Sequence, residues 1–170
     1  MAGNKYIANS SGTLTEVVTL QTSAGAGDAG KIAALDAAGR FDLTMMPVGI
    51  GADTAVIVAF EALSAGDLVN VFDSAGAFKV RKADASTTGK EAHGFVLAAV
   101  LITANATVYF EGSNTQVSAL TPGVKWLSTS TPGLTQASAP TVAGQTVQAV
   151  GFATSATVLN FQSRPPVTLA

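Results

Sequence analysis

Hydrophobic positions in this chain come in short runs cut by glycine, proline and small polar residues, and almost none recur at helical spacing. Such a pattern predicts strands and turns. Residues 55–59 form a near-continuous β-branched run, which predicts a strand covered on both faces. Residues 68–72 and 77–82 predict a hairpin around Ser74-Ala75-Gly76. The longest apolar run lies in residues 94–102, the expected principal core strand. Further strands are predicted over 107–111, 125–129, 134–137, 146–154 and 157–162, with a polar loop at 83–90. Arg164-Pro165-Pro166 should end regular pairing, because proline cannot donate to a ladder, leaving 167–170 as a short tail. Phe95, Val96, Leu97, Val100, Val150, Phe152 and Val158 are the expected core.

Part of this pattern occurs twice. Residues 63–80 are echoed by 120–137 without a gap: Leu63 aligns with Leu120, Gly66 with Gly123 and Gly76 with Gly133. Gly94-Phe95 matches Gly151-Phe152 at the same offset. The expectation is a mainly β fold, an antiparallel β-barrel or sandwich of two pseudo-repeated β units over 52–170, preceded by an extended N-terminal arm and linker over 1–51. Within the arm, residues 5–21 hold two short β-like pieces around Asn9-Ser10-Ser11-Gly12. Residues 22–30 read as a flexible linker by composition. Residues 31–46 read as two apolar pieces, Ile32 and Leu35 before a turn at 36–39, Phe41 and Leu43 after it. A small hairpin or a single helical turn fits them, and Met45-Met46-Pro47 closes the segment. Nothing in the arm can bury a core alone. Its apolar residues Tyr6, Ile7, Leu14, Val17, Val18 and Leu20 are the candidate contact residues for a neighbouring subunit.

Composition narrows the chemistry. Charged residues make up 12% of the chain, about half the usual share, and net charge is -2, so nothing favours nucleic acid. No apolar run is long enough for a membrane span, and no secretory leader is read. Cysteine is absent, which excludes disulfides and thiolate metal sites. Gly25, Gly27 and Gly30 match G-x-G-x-x-G, but the strand before and the amphipathic helix after, which phosphate binding needs, are missing. His93 is the single histidine and reads as a strand-edge residue; the carboxylates are scattered singly. Trp126, the single tryptophan, reads as packing, with a sugar-stacking or interface role as the alternative. Asn9-Ser10-Ser11 and Asn105-Ala106-Thr107 match the glycosylation pattern only by chance if there is no leader. No catalytic residue, cofactor or metal site is expected, and the chain reads as a non-enzyme.

Three stretches carry a family resemblance. Residues 27–49, GDAGKIAALDAAGRFDLTMMPVG, resemble a linker in virion structural proteins of tailed bacteriophages. Leu63-Ser64-Ala65-Gly66-Asp67-Leu68-Val69 is similar to the start of their β domains. Residues 123–135 and 147–159 look like their C-terminal half. The resemblance implies a capsid decoration (cement) protein that sits on the virion exterior after synthesis in the host cytoplasm. It implies the major capsid protein as a partner. The low charge and the Ala/Thr/Val-rich strands predict self-association as well, with a trimer ahead of a dimer because a trimer would match the local three-fold positions of an icosahedral shell. The alternative the resemblance leaves open is a head-fibre or tail component, a receptor- or carbohydrate-binding module on the same β fold. The family transfers no functional residues.

Overall fold

The computed structural model describes residues 5–46 and 53–170. The first four residues of the expected arm, and its closure at Pro47, lie outside the described residues. Contacts gather into two units, Met1–Gly51 and Ala52–Ala170.

The first unit begins with a hairpin. Strands β1 (Lys5–Ser10) and β2 (Thr13–Val18) pair antiparallel from Lys5↔Val18 to Ser10↔Thr13. Ser11 and Gly12 make the two-residue turn, both at positive φ (53° and 84°), which matches the twist of paired strands. The segment expected to be a flexible linker is instead a closed loop. Leu20 N donates to Ile32 O at 2.9 Å and Ala34 N to Leu20 O at 2.6 Å, tying its two ends together. Inside it, a 3-10 turn at Ala26–Asp28 is held by Asp28, whose carboxylate accepts from Ala24 N at 2.6 Å and from Lys31 Nζ at 2.7 Å. Side chains that replace missing backbone partners give order that composition does not reveal. Asp36 then reverses the chain by accepting from Ala38 N and Arg40 N, and a second 3-10 turn spans Leu43–Met45.

The second unit contains two sheets. Strands β3 (Thr54–Ala59), β4 (Leu68–Ser74), β5 (Ala77–Lys82), β6 (Gly94–Val96) and β7 (Asn105–Tyr109) close a barrel in the order β3-β5-β4-β6-β7. Its pairings are antiparallel except β3 with β5, which run parallel through Val58↔Lys79 and Ala59↔Val80. Strands β8 (Gly112–Asn114), β9 (Gly123–Leu127), β10 (Thr135–Gln136), β12 (Ala149–Ser155) and β13 (Val158–Phe161) form the second sheet, in the order β10-β9-β12-β13-β8. A short pair, β11 (Thr146–Val147) with β14 (Val167–Thr168), completes the unit.

Two cores follow from alternation along shared strands. Val69, Val80, Val96, Ala106 and Val108 fill the barrel. Leu68, Phe95, Leu127, Val150, Leu159 and Phe161 pack between barrel and second sheet. Phe95 stacks on Tyr109 at 5.4 Å and leans on Phe161 at 5.5 Å. Neighbouring residues of β4 (Leu68, Val69) and β6 (Phe95, Val96) thus serve opposite cores, so these are the strands buried on both faces. The mainly β, barrel-containing fold class read from the sequence is the one observed.

Several local expectations are corrected. Strand β3 is not covered on both faces: it alternates, and Val56 stands 67% exposed, because only one face of a barrel strand looks inward. The 94–102 strand stops at Val96. Its remainder turns over the barrel end, where Val100 bridges Leu63 while Leu101 and Ile102 are exposed. Phe152 is exposed rather than core, because a bulge between Ala149 and Gly151 changes the parity of β12 and turns Val150 inward. Leu97, Val100 and Val158 are only partly buried. The 146–154 strand breaks at Gln148, and the supposed tail after Pro166 returns as β14.

At the glycines shared by the two sequence copies, Gly66, Gly76, Gly123 and Gly133 all have positive φ, between 83° and 104°. Their surroundings differ. Gly76 completes the two-residue turn between β4 and β5 in open space. Gly133 lies in the longer connection from β9 to β10, against Asp67.

Candidate functional site

The first unit carries the first candidate surface. Strand pairing places Ile7, Leu14 and Val18 on one face of the hairpin, with an ion pair between Lys5 and Glu16 across the same face. Ile7, Leu14 and Val18 are 65%, 71% and 60% exposed. Tyr6 and Val17 face each other on the opposite side and are half-buried, as is Leu20 at its bridge to Ala33. The six residues singled out in the sequence therefore divide into an open apolar face and a partly covered one. Among the described residues of this unit whose side chains are placed, none is buried.

Acidic side chains shape this unit locally. The hydrogen bond from Lys31, with a second from Ala24 N, holds the Asp28 carboxyl below its ordinary value of 3.8. Donation from the Thr44 hydroxyl and backbone N–H does the same for Asp42. Thr44 in turn accepts from Ser23 N at 2.8 Å, so Asp42 fastens the far end of the loop. The G-x-G-x-x-G match thus lies on a three-residue 3-10 turn whose nearby N–H group already binds a carboxylate. That arrangement repels phosphate.

In the second unit, the outer barrel face presents Val56, Val58 and Phe60 in line along β3 and just beyond it. Register places Val58, Lys79 and Phe72 side by side. Phe60 meets Phe72 edge-on at 5.3 Å. Lys79 Nζ lies 5.7 Å from the Phe60 ring, and the Arg81 guanidinium 4.2 Å from Phe72. This is an exposed apolar and aromatic patch with two cations.

A cleft of about 450 Å³ lies where the 64–68 turn of the barrel meets segments 116–120 and 131–135 of the other layer. Asp67, nearly buried, stands in it. Its Oδ2 accepts from Ser64 N at 2.7 Å and pairs with Lys82 Nζ at 3.2 Å. Gly66 is required there, since a Cβ would lie 2.3 Å from Gln116 O. The sequence shows Asp67 only as one of the singly scattered carboxylates and gives no sign of the cleft, because its walls lie far apart along the chain.

The single residues weighed in the sequence have structural surroundings. His93 N donates to Val69 O, and its Nδ1 accepts from Val71 N at 3.0 Å, so the imidazole continues the ladder of β4 beyond the end of β6. Trp126 is partly buried, opposite Ala149 and Gln136. Lys125, buried on the other face of β9, donates from Nζ to Thr121 Oγ1 at 2.8 Å. Among the described residues no helix is long and apolar enough to cross a membrane.

Compared with known proteins, the chain matches no family model, no curated protein and no solved structure.

Proposed function

We propose that this chain is a bacteriophage virion structural protein that decorates the capsid exterior and stabilises the shell by bridging capsomers. The observation that carries the reading is that no described side chain of the N-terminal unit is buried. Its 3-10 turns and hairpin are fully formed, yet Ile7, Leu14 and Val18 lie open on one face. An isolated two-stranded hairpin is marginal in water, so such an element gains most of its stability from whatever covers it. The major capsid protein is the proposed cover, reached through that face or through the free edges of β1 and β2.

Self-association is the second part of the proposal, with a trimer preferred to a dimer. The outer barrel patch of Val56, Val58, Phe60 and Phe72 supports it, as does the low overall charge. A trimer suits the local three-fold positions of an icosahedral shell. Linked arms then raise avidity through effective concentration, so no single contact need be tight. Binding only to the assembled shell stabilises that shell by mass action.

The test is to strip the protein from particles, measure shell disruption on heating, and add back the full chain or the Ile7→Asp/Leu14→Asp/Val18→Asp variant. The full chain should restore shell stability, present in hundreds of copies per particle, and the variant should not. Equal restoration by both would remove the arm from the mechanism. A handful of copies per particle would move the protein to a fibre or tail.

A further inference from the structure

We propose that the cleft at Asp67 and Lys82 binds a neutral sugar, one pyranose ring seated by two neighbouring hydroxyls. The inference does not rest on the decoration reading; it follows from the chemistry of the cleft.

Its first support is the charge balance. Asp67 and Lys82 are the only charged residues lining the cleft among those described. They are paired, so a charged ligand would meet one attractive and one repulsive partner. A neutral ligand with both donors and acceptors satisfies both.

Unused bonding capacity is the second support. Both contacts to Asp67, from Ser64 N and Lys82, go to Oδ2. Oδ1 accepts from no group among the described residues and is not sealed from solvent. Lys82 Nζ keeps donors beyond its one ion pair, and its side chain is about a quarter exposed (27%). A carboxylate oxygen and an ammonium group side by side match vicinal hydroxyls, one donating to Oδ1 and the next accepting from Nζ. Such charge-assisted bonds are the stronger kind.

Gly133 packs closely on the carboxylate: a Cβ there would sit 2.9 Å from both Asp67 Oδ1 and Cγ, so only glycine lets the 131–135 wall lie this near Oδ1. The rim adds hydroxyls from Ser118 and Thr131, while Ala65, Val117, Leu120 and Pro132 offer apolar surface for ring carbons. The N–H groups of Val117, Ser118 and Ala119 make no backbone bonds among the described residues, which leaves further donors on that wall. The volume, about 450 Å³, falls within the rough 300–1,000 Å³ range of small-molecule sites.

The experiment is a titration of the ¹⁵N-labelled full chain with methyl α-D-mannopyranoside, methyl α-D-glucopyranoside and methyl β-D-galactopyranoside, each to about 50 mM, well above the ~1 mM affinity expected for one ring. At least one glycoside should give saturable shifts confined to the amides of Gly66, Asp67, Lys82, Ser118 and Gly133. Asp67→Asn, and independently Ser118→Trp, should weaken it by about tenfold or more. Ser118 is exposed, so its variant blocks the cleft without disturbing a core, and an unchanged spectrum elsewhere confirms its fold. No saturable shift from any glycoside, or shifts that neither variant weakens, would overturn the proposal. So would shifts produced by a capped Ala-Thr-Ala-Thr peptide and by none of the sugars, which would assign the cleft to an extended chain.

Discussion

The side chain of Gln148 and the backbone of Ala92 hydrogen-bond each other twice: Ala92 N donates to Gln148 Oε1 at 2.7 Å, and Gln148 Nε2 donates to Ala92 O at 2.9 Å. The amide thereby acts as one rung of a ladder between two layers that are not paired strand to strand at that point. It also explains the break in the chain between β11 and β12, where Gln148 turns inward to make this rung. Both residues are buried, so neither has water as a substitute partner.

Gln148→Leu should leave the Ala92 N–H and C=O unpaired inside the protein. The expected loss is at least about 1–3 kcal/mol, more than a surface change costs. Denaturant midpoints of wild type and variant check it; a loss below about 0.5 kcal/mol would show that water or a backbone shift replaces the rung.

Phe95 and Phe152, equivalent in the sequence echo, should behave oppositely. Phe95→Ala empties the junction of the two layers and should cost roughly 3–5 kcal/mol. Phe152 is on the outer face of β12, so Phe152→Ala should cost far less, about 0.5 kcal/mol if it follows ordinary surface positions. Thermal or chemical unfolding of the two variants separates them.

Gly76→Ala and Gly151→Ala probe different constraints. At Gly76 an added Cβ meets nothing within 4 Å, so only the positive φ opposes it, at about 1–2 kcal/mol. At Gly151 the Cβ would lie 2.0 Å from Asn160 O, which forces β12 and β13 apart. Gly151→Ala should therefore unfold at markedly lower denaturant, and equal midpoints would contradict the close approach of these strands.

Acid should loosen the arm unit before the barrel. The carboxyls of Asp28 and Asp42 are held below the ordinary value, so each favours the folded loop above about pH 3.8. That contribution disappears as pH falls through their lowered folded-state values. Amide exchange at Ala24 and Thr44, the N–H groups these carboxylates accept from, should rise below about pH 3.8 relative to that at Val69 and Val108 once intrinsic rates are corrected. Uniform protection at all four positions down to pH 2 would contradict it.

Much of this protein was set by its local sequence pattern. Short apolar runs punctuated by glycine specify strands and turns, and the hairpin of β4 and β5 appears over 68–74 and 77–82, beside the 68–72 and 77–82 read from alternation and Ser74-Ala75-Gly76. The exposed apolar side chains of the first unit follow from the same pattern, since a short segment without a core leaves residues such as Ile7 and Leu14 uncovered. Tertiary structure decided what alternation cannot express. Burial on both faces went to β4 and β6, because those strands lie between two cores, and not to the richer β-branched run of β3. A single bulged residue reversed the facing of Phe152, because side-chain direction in a strand has a period of two and one extra residue inverts it. The Asp67 cleft was illegible for a related reason: Gly66, Gln116 and Gly133 meet only when the two layers close, and their spacing along the chain carries no trace of that contact.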